Sequence, residues 1–344
     1  MIKITFFNIP HLSVGRGGEI WETEVIRYLN STKKFDAKLI TTNCCYMYDV
    51  KPDFEYKIIP LKKILGLHLY NYDDIKEDIE NTDILYYFNS FIGSQIPLLR
   101  HIKNIKKIIF GYHAKNDWNI IQKIYYSLLD HKIKNIGYNH VLTQYQYKKL
   151  IKKGFKRVFV IPNFVDTSEF KPSNDKDPNL IIAPGVTSKE KGLYTLIKIS
   201  KYIKNIKIYI TGNKPSINLP DNIIYLGKLN REEYKKFLSK SSICILPTYG
   251  EMFPITFLEC LASGNLIITR DLPVLREVCG NIESVYFAKD NNEFIKGLLT
   301  FLNKIKDYEE FNRLSIISRE RAKIFDKNKI LKQFEEKLCS IAED

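Results

Sequence analysis

A chain of 344 residues with 44% hydrophobic side chains is long enough for two domains with full-sized cores. No apolar run approaches the roughly 18 residues of a membrane span, and the opening MIKITFFNIP reads as a first buried strand rather than a signal sequence. The formal net charge is +14 and uneven: residues 1–165 carry 25 basic and 15 acidic side chains, a net of +10, and residues 166–344 carry 28 and 24, a net of +4.

The excess charge lies between Lys103 and Arg157, where Lys106, Lys107, Lys148, Lys149, Lys152 and Lys153 also stand. Such a face attracts anions, among them an anionic membrane surface. A composition rich in Lys, Ile, Tyr and Asn also follows from an AT-rich genome. Nucleic acid is disfavoured, because no recognition motif occurs and the aromatics are dispersed rather than set out as stacking platforms. The six cysteines (Cys44, Cys45, Cys244, Cys260, Cys279 and Cys339) form no CxxC pair and have no histidine cluster beside them. They read as buried free thiols in a reducing cytoplasm.

In chain order, Ile2 to Phe7 is a strand, IPHLSVGRGGE a loop, and Ile20 to Leu29 a helix. Strand, glycine-rich loop and helix form a phosphate-binding layout, since glycines let a ligand approach the backbone. Gly15-x-Gly17-Gly18 is not the dinucleotide fingerprint, and a plain strand-to-helix turn reads the same way. Ala37 to Thr41 and Lys57 to Ile59 are strands, Asp74 to Glu80 a helix, and Ile84 to Phe88 and Ile108 to Tyr112 strands. This rhythm predicts a parallel sheet covered by helices on both faces. His113 follows directly on the last of these strands, at the carboxyl end where ligands of such sheets bind. Lys115, Asn116 and Asp117 share its loop.

Residues 140–166 read as strand, helix, glycine and strand. The polar stretch 167–179 reads as an interdomain connection. Asp175-x-Asp177 within it is a solvated turn, so no metal is predicted. Leu180 to Ala183 begins a second sheet, continued by Lys207 to Thr211 and Ile223 to Leu226. Those two strands lead into the loops Gly212-Asn213 and Gly227-Lys228-Leu229.

Residues 243–280 are the most informative. Ile243 to Leu246 is a buried strand, broken by Pro247 to Gly250. Pro254 stands at the first turn of a helix whose apolar face is Phe257, Leu258 and Leu261, and Gly264 closes it. Leu266 to Thr269 is the next strand, and Asp271 to Glu277 the next loop. Glu251 and Glu259 bracket the turn. A helix N-terminus suits a phosphate or sugar oxygen, and a carboxylate beside it accepts two O–H groups of a ribose diol. Taken singly, Glu259 also fits a capping box with Thr256, and Glu251 a solvated loop acid. Beyond residue 290 the pattern is helical, and Ile330, Leu331, Phe334, Leu338 and Ile341 form a stripe at helical spacing.

EMFPITFLE resembles the E-x7-E signature of retaining GT-B glycosyltransferases, in particular family 4. Four further stretches are similar to that family in the right order. Gly17, Gly18 and Glu19 match its first loop, and His113 a frequent histidine. Thr143, Asn163 and Asp166 match its domain-closing stretch, with Phe164 in place of a glycine. Gly185, Lys191, Gly192 and Leu196 match its G-R-x4-K-G pattern, with Val186 in place of the arginine and Lys189 as a nearby substitute.

The resemblance implies two Rossmann-like α/β domains facing each other across a cleft. Residues 1–166 would be the acceptor domain, with a C-terminal helix (about 326–344) packed back on it, and 167–325 the donor domain. It implies retaining transfer from a nucleoside-diphosphate sugar, UDP- or GDP-linked, to a hydroxyl of a glycan, lipid-linked or small-molecule acceptor, with no cofactor or metal. Lys191 and Lys189 would neutralise the diphosphate and Glu259 would hold the ribose. Glu251 would orient donor-sugar hydroxyls, with Phe253, Pro254 and Ile255 completing the sugar pocket. His113 would contact the sugar near the reacting carbon. Gly17, Gly18 and Gly185 would border the diphosphate, and Gly212, Asn213 and Leu229 the base. A catalytically inactive GT-B fold or an anion- or nucleic-acid-binding protein, and a sugar-nucleotide epimerase, remain as alternatives.

Overall fold

The computed structural model describes residues 1–15, 17–88, 91–113, 120–203 and 205–344, with the backbone alone at 120–122. Lys115, Asn116 and Asp117 lie outside the described residues. The chain divides into two compact units, Met1–Pro162 with Ile330–Asp344, and Asn163–Lys329.

The first unit contains β1 (Ile2–Phe7), α1 (Gly17–Ser31), β2 (Phe35–Thr42), β3 (Tyr56–Ile59) and a hairpin of β4 (Lys62–Ile64) and β5 (Leu67–Leu69). There follow α2 (Lys76–Glu80), β6 (Ile84–Phe88), α3 (Gln95–Arg100), β7 (Ile108–Gly111), α4 (Ile120–Ile133), β8 (Tyr138–Val141), α5 (Gln144–Lys152) and β9 (Val158–Val160). Seven strands form one parallel sheet in the order β3-β2-β1-β6-β7-β8-β9. The inner strands β6, β7 and β8 are buried along their whole length because helices take both faces. Thr143 caps α5 through a reciprocal box with Gln146.

The second unit contains β10 (Asp177–Pro184), α6 (Leu193–Ser200), β11 (Ile208–Thr211), β12 (Ile223–Tyr225), α7 (Arg231–Lys240), β13 (Ser241–Leu246), α8 (Ile255–Ala262) and β14 (Leu266–Arg270). It continues with α9 (Pro273–Cys279), β15 (Val285–Ala288), α10 (Asn291–Lys304) and α11 (Tyr308–Lys323). Its parallel sheet runs β12-β11-β10-β13-β14-β15, the doubly wound order whose direction reverses between β10 and β13.

The last helix, α12 (Lys327–Glu343), buries the expected stripe of Ile330, Leu331, Phe334, Leu338 and Ile341. In the first unit Glu335 accepts from Tyr28 Oη at 2.8 Å and pairs with Lys34 at 2.7 Å, and Tyr138 Oη donates to Asp344 at 2.5 Å.

Three local expectations need correction. Asp271 to Glu277 is not a loop: Pro273 fixes the first turn of α9, where its missing N–H costs nothing. Thr256 and Glu259 form no capping box, because the residue before α8 is Pro254, which has no side-chain donor or acceptor. The cysteines are free, but only Cys244, Cys260 and Cys279 are buried; Cys45 is exposed.

Candidate active site

In a doubly wound sheet, the loops leaving the carboxyl ends of the two strands at the reversal diverge to opposite faces and leave a crevice. In the second unit those loops follow β10 and β13, and most of the predicted donor residues stand on them. Gly185 begins the first loop with φ +73°, open space around its Cα, and its N–H bonded to Thr211 O at 3.0 Å. Gly212, at the end of β11, has φ +120° and N–H bonded to Gly227 O at 2.9 Å. A side chain on Gly212 would meet the Gly185 Cα at 3.6 Å, so the backbones at these strand ends run close together. Tyr225 Oη holds the Gly212 carbonyl at 2.9 Å. Asn213 is exposed and Leu229 half-buried beyond them.

The loops after β10 and β13 are tied to each other. Tyr249 N–H donates to Glu190 O at 3.0 Å, and the Tyr249 and Thr195 hydroxyls lie 3.0 Å apart. The Arg270 guanidinium stacks on the Tyr249 ring at 4.0 Å. Gly192 starts α6 at φ +88°, and a Cβ there would collide with the Pro247 carbonyl. This tight join brings Lys191 Nζ to 2.6 Å from Glu251 Oε1. The same carboxylate oxygen accepts from Thr248 Oγ1 at 3.1 Å. Lys189 is exposed on the same loop. Val186 is a core residue, 2% exposed, so its position offers the site no cation.

Glu259 lies on α8 and is buried. Tyr234 Oη donates to its Oε2 at 3.1 Å. Burial pushes the Glu259 carboxyl up to about 7, against the pull of Arg231 and of the Tyr234 hydrogen bond. Arg231 opens α7 and forms a two-pronged pair with Glu169, at 2.8 and 2.5 Å. Phe253 is buried against Phe325, with its carbonyl accepting from Asn163 Nδ2 at 2.8 Å. Pro254 is buried and Ile255 half-buried at the start of α8. Tyr234 was not visible in the sequence as a site residue, since nothing in α7 marks a hydroxyl aimed at a carboxylate 25 residues later.

His113, Gly17 and Gly18 belong to the first unit. Gly17 and Gly18 form the first turn of α1, and a Cβ on Gly18 would meet nothing within 4 Å. His113 stands just past β7. Its Nε2 lies 2.7 Å from Tyr86 Oη, and its ring packs on Trp21 at 4.7 Å between centroids. Burial holds His113 well below the ordinary imidazole value, with His140 adding to the effect. Glu22, also buried in this unit, is bonded by Asn8 at 3.2 Å, and burial pushes its carboxyl well up.

Residues 164–316 match the family of glycosyl transferases group 1. The chain is 26% identical over 230 residues to an O-antigen chain mannosyltransferase of Salmonella typhimurium, covering 62% of this chain and 64% of that protein. It is 25% identical over 253 residues to a processive diacylglycerol alpha-glucosyltransferase of Acholeplasma laidlawii, covering 64% and 75%. Sucrose-phosphate synthase from Thermosynechococcus elongatus superposes with a TM-score of 0.77 at 14% identity, over 99% of both chains. Anabaena HepE, in complex with UDP and glucose, superposes with a TM-score of 0.75 at 12% identity, over 99% of this chain and 100% of that one. Together with the two doubly wound sheets, these similarities show a GT-B fold whose residues 164–316 are similar to the glycosyl transferases group 1 family.

Proposed function

We propose that the protein is a retaining glycosyltransferase that moves a sugar from a nucleoside-diphosphate donor to a hydroxyl acceptor without a metal ion. The observation that carries this reading is the second unit's reversal point, where Lys191 and Glu251 meet at 2.6 Å with Glu259 buried on the adjoining helix. A cation for a diphosphate and carboxylates for sugar and ribose hydroxyls stand where such sheets bind nucleotides. The relative crystallised with UDP and glucose has the same fold, which favours a nucleotide-sugar donor.

In this reading Lys191, with Lys189, takes the diphosphate and stabilises its departure. Glu251 and the backbone at Phe253, Pro254 and Ile255 orient the donor sugar. Glu259 and Tyr234 hold the ribose, and Gly185, Gly212, Asn213 and Leu229 line the base and diphosphate with main-chain atoms. From the first unit, Gly17 and Gly18 open α1 for the phosphate and His113 meets a sugar hydroxyl. The bond from the anomeric carbon to the diphosphate oxygen breaks. The acceptor oxygen bonds to that carbon on the same face, and its proton passes to the departing diphosphate.

No helix among the described residues is long and apolar enough to cross a membrane. Free thiols suit a reducing cytoplasm, and the basic first half suits peripheral contact with an anionic bilayer. A second reading, an inactive GT-B binder, draws on the buried Val186 where the family carries an arginine. The test is a thermal-shift panel of nucleoside diphosphates and their sugars, followed by NMR of the product's anomeric centre. Stabilisation by one nucleotide series with turnover and a retained anomer supports the proposal. Binding without turnover supports the second reading, and an inverted product overturns the mechanism.

A further inference from the structure

In the first unit, three polar side chains on neighbouring strands form a hydrogen-bonded file that fixes where the His113 proton resides. Tyr86 is on β6, His140 on β8, and β7 lies between them. Tyr86 reaches across because the residue it passes is Gly111, paired with His140 across β7 and β8. A Cβ on Gly111 would stand 2.6 Å from Tyr86 Oη.

The proton positions follow from one fixed end. His140 Nε2 lies 2.8 Å from the Ile161 carbonyl, which can only accept, so Nε2 carries the hydrogen. Burial lowers His140 to about 4, so the ring is neutral and its Nδ1 is a bare acceptor. Tyr86 Oη, 2.6 Å from that Nδ1, must donate to it. A hydroxyl has one proton, so toward His113 Nε2, 2.7 Å away, Tyr86 can only accept. His113 Nε2 therefore holds a hydrogen, and the neutral ring leaves Nδ1 with a free lone pair. Tyr86 and His140 are fully buried, while His113 is half-buried, so the file ends at the residue that meets solvent.

We infer that Tyr86 and His140 are positioning residues that hold His113 in the Nε2–H tautomer, so that His113 presents Nδ1 as an acceptor to a hydroxyl proton of the sugar substrate. The sugar part rests on the glycosyltransferase reading; the tautomer does not. Burial pushes the carboxyl of Glu22, which acts on Tyr86, well up from its ordinary value, and among the described residues His140 is the one charge-bearing neighbour that acts on His113.

The experiment is long-range proton–nitrogen NMR of the full-length protein with labelled histidines, near neutral pH, assigned by His113→Asn and His140→Asn. The expected spectrum shows both rings neutral with hydrogen on Nε2. Either ring with hydrogen on Nδ1, or a doubly protonated His113, overturns the inference whether or not the protein transfers sugar. Tyr86→Phe should leave His140 neutral while His113 becomes a mixture of tautomers. It should also lower kcat about tenfold, the scale of one lost buried hydrogen bond, with donor Kd unchanged. A Tyr86→Phe protein whose His113 keeps the pure Nε2–H form also refutes it. Gly111→Ala, which displaces the Tyr86 hydroxyl, should reproduce the mixture in a chain that retains the tyrosine; an unmixed His113 there counts against the file.

Discussion

Lys191 and Glu251, sixty residues apart, form an ion pair of 2.6 Å across the two loops at the second sheet's reversal point. The carboxylate is mostly buried and the ammonium half-exposed, so the pair contributes little to stability. A donor diphosphate would compete with Glu251 for Lys191 and free the carboxylate for sugar hydroxyls. Lys191→Ala should therefore lower kcat by about ten- to hundredfold and weaken donor binding much less. Its unfolding free energy should stay within about 1 kcal/mol of wild type by chemical denaturation. Weakened donor binding with kcat unchanged would mean that Lys191 holds the ground and transition states equally.

Gly192→Ala tests the join that produces this pair. The position has φ +88°, and a Cβ would strike the Pro247 carbonyl, which is main chain and cannot swing aside. We expect a destabilisation of about 1–3 kcal/mol and loss of donor binding as the two loops are forced apart. Gly185→Ala serves as the comparison, since its φ of +73° is strained but the space around it is open. It should cost less by chemical denaturation; an equal cost would place the constraint in φ alone.

The paired acids at 251 and 259 were legible because their spacing is local and their surroundings are one strand and one helix. The strands were legible as short apolar runs. The partners that give these residues their chemistry were not. Tyr234 meets Glu259 only after α7 and α8 pack, and Tyr86 meets His113 and His140 only through the strand order β6-β7-β8. Gly111 ends an apolar strand and gives no hint that a tyrosine crosses over it. Likewise Val186, read in the sequence as a missing cation, turns out to be filling the core.

The basic first half carries a prediction separable from catalysis. If its net charge of +10 serves an anionic surface, sedimentation with acidic vesicles should fall steeply between low and physiological salt, and neutral vesicles should not bind. Binding that ignores salt, or none to acidic vesicles, leaves nucleotide composition as the account of the lysines.

Glu259 has a pH signature that no other proposed contact shares. Its folded-state value, about 7, lies above the ordinary 4.5 because burial penalises the charge. For a raised carboxyl, stability is fully present below 4.5 and is lost as pH rises through about 7. The loss is of order 3 kcal/mol. Glu259→Gln, which cannot ionise, should therefore melt near wild type at pH 5 and above it at pH 8. Donor binding should run the other way. A ribose diol donates better to a carboxylate than to a neutral acid, so wild-type affinity should improve about fivefold from pH 6 to pH 8. In Glu259→Gln that slope should vanish, and in Tyr234→Phe it should shift to higher pH, because the hydroxyl that steadies the carboxylate is gone. Calorimetric titration with a nucleoside diphosphate at three pH values decides it; parallel slopes in wild type and Glu259→Gln would remove Glu259 from the ribose.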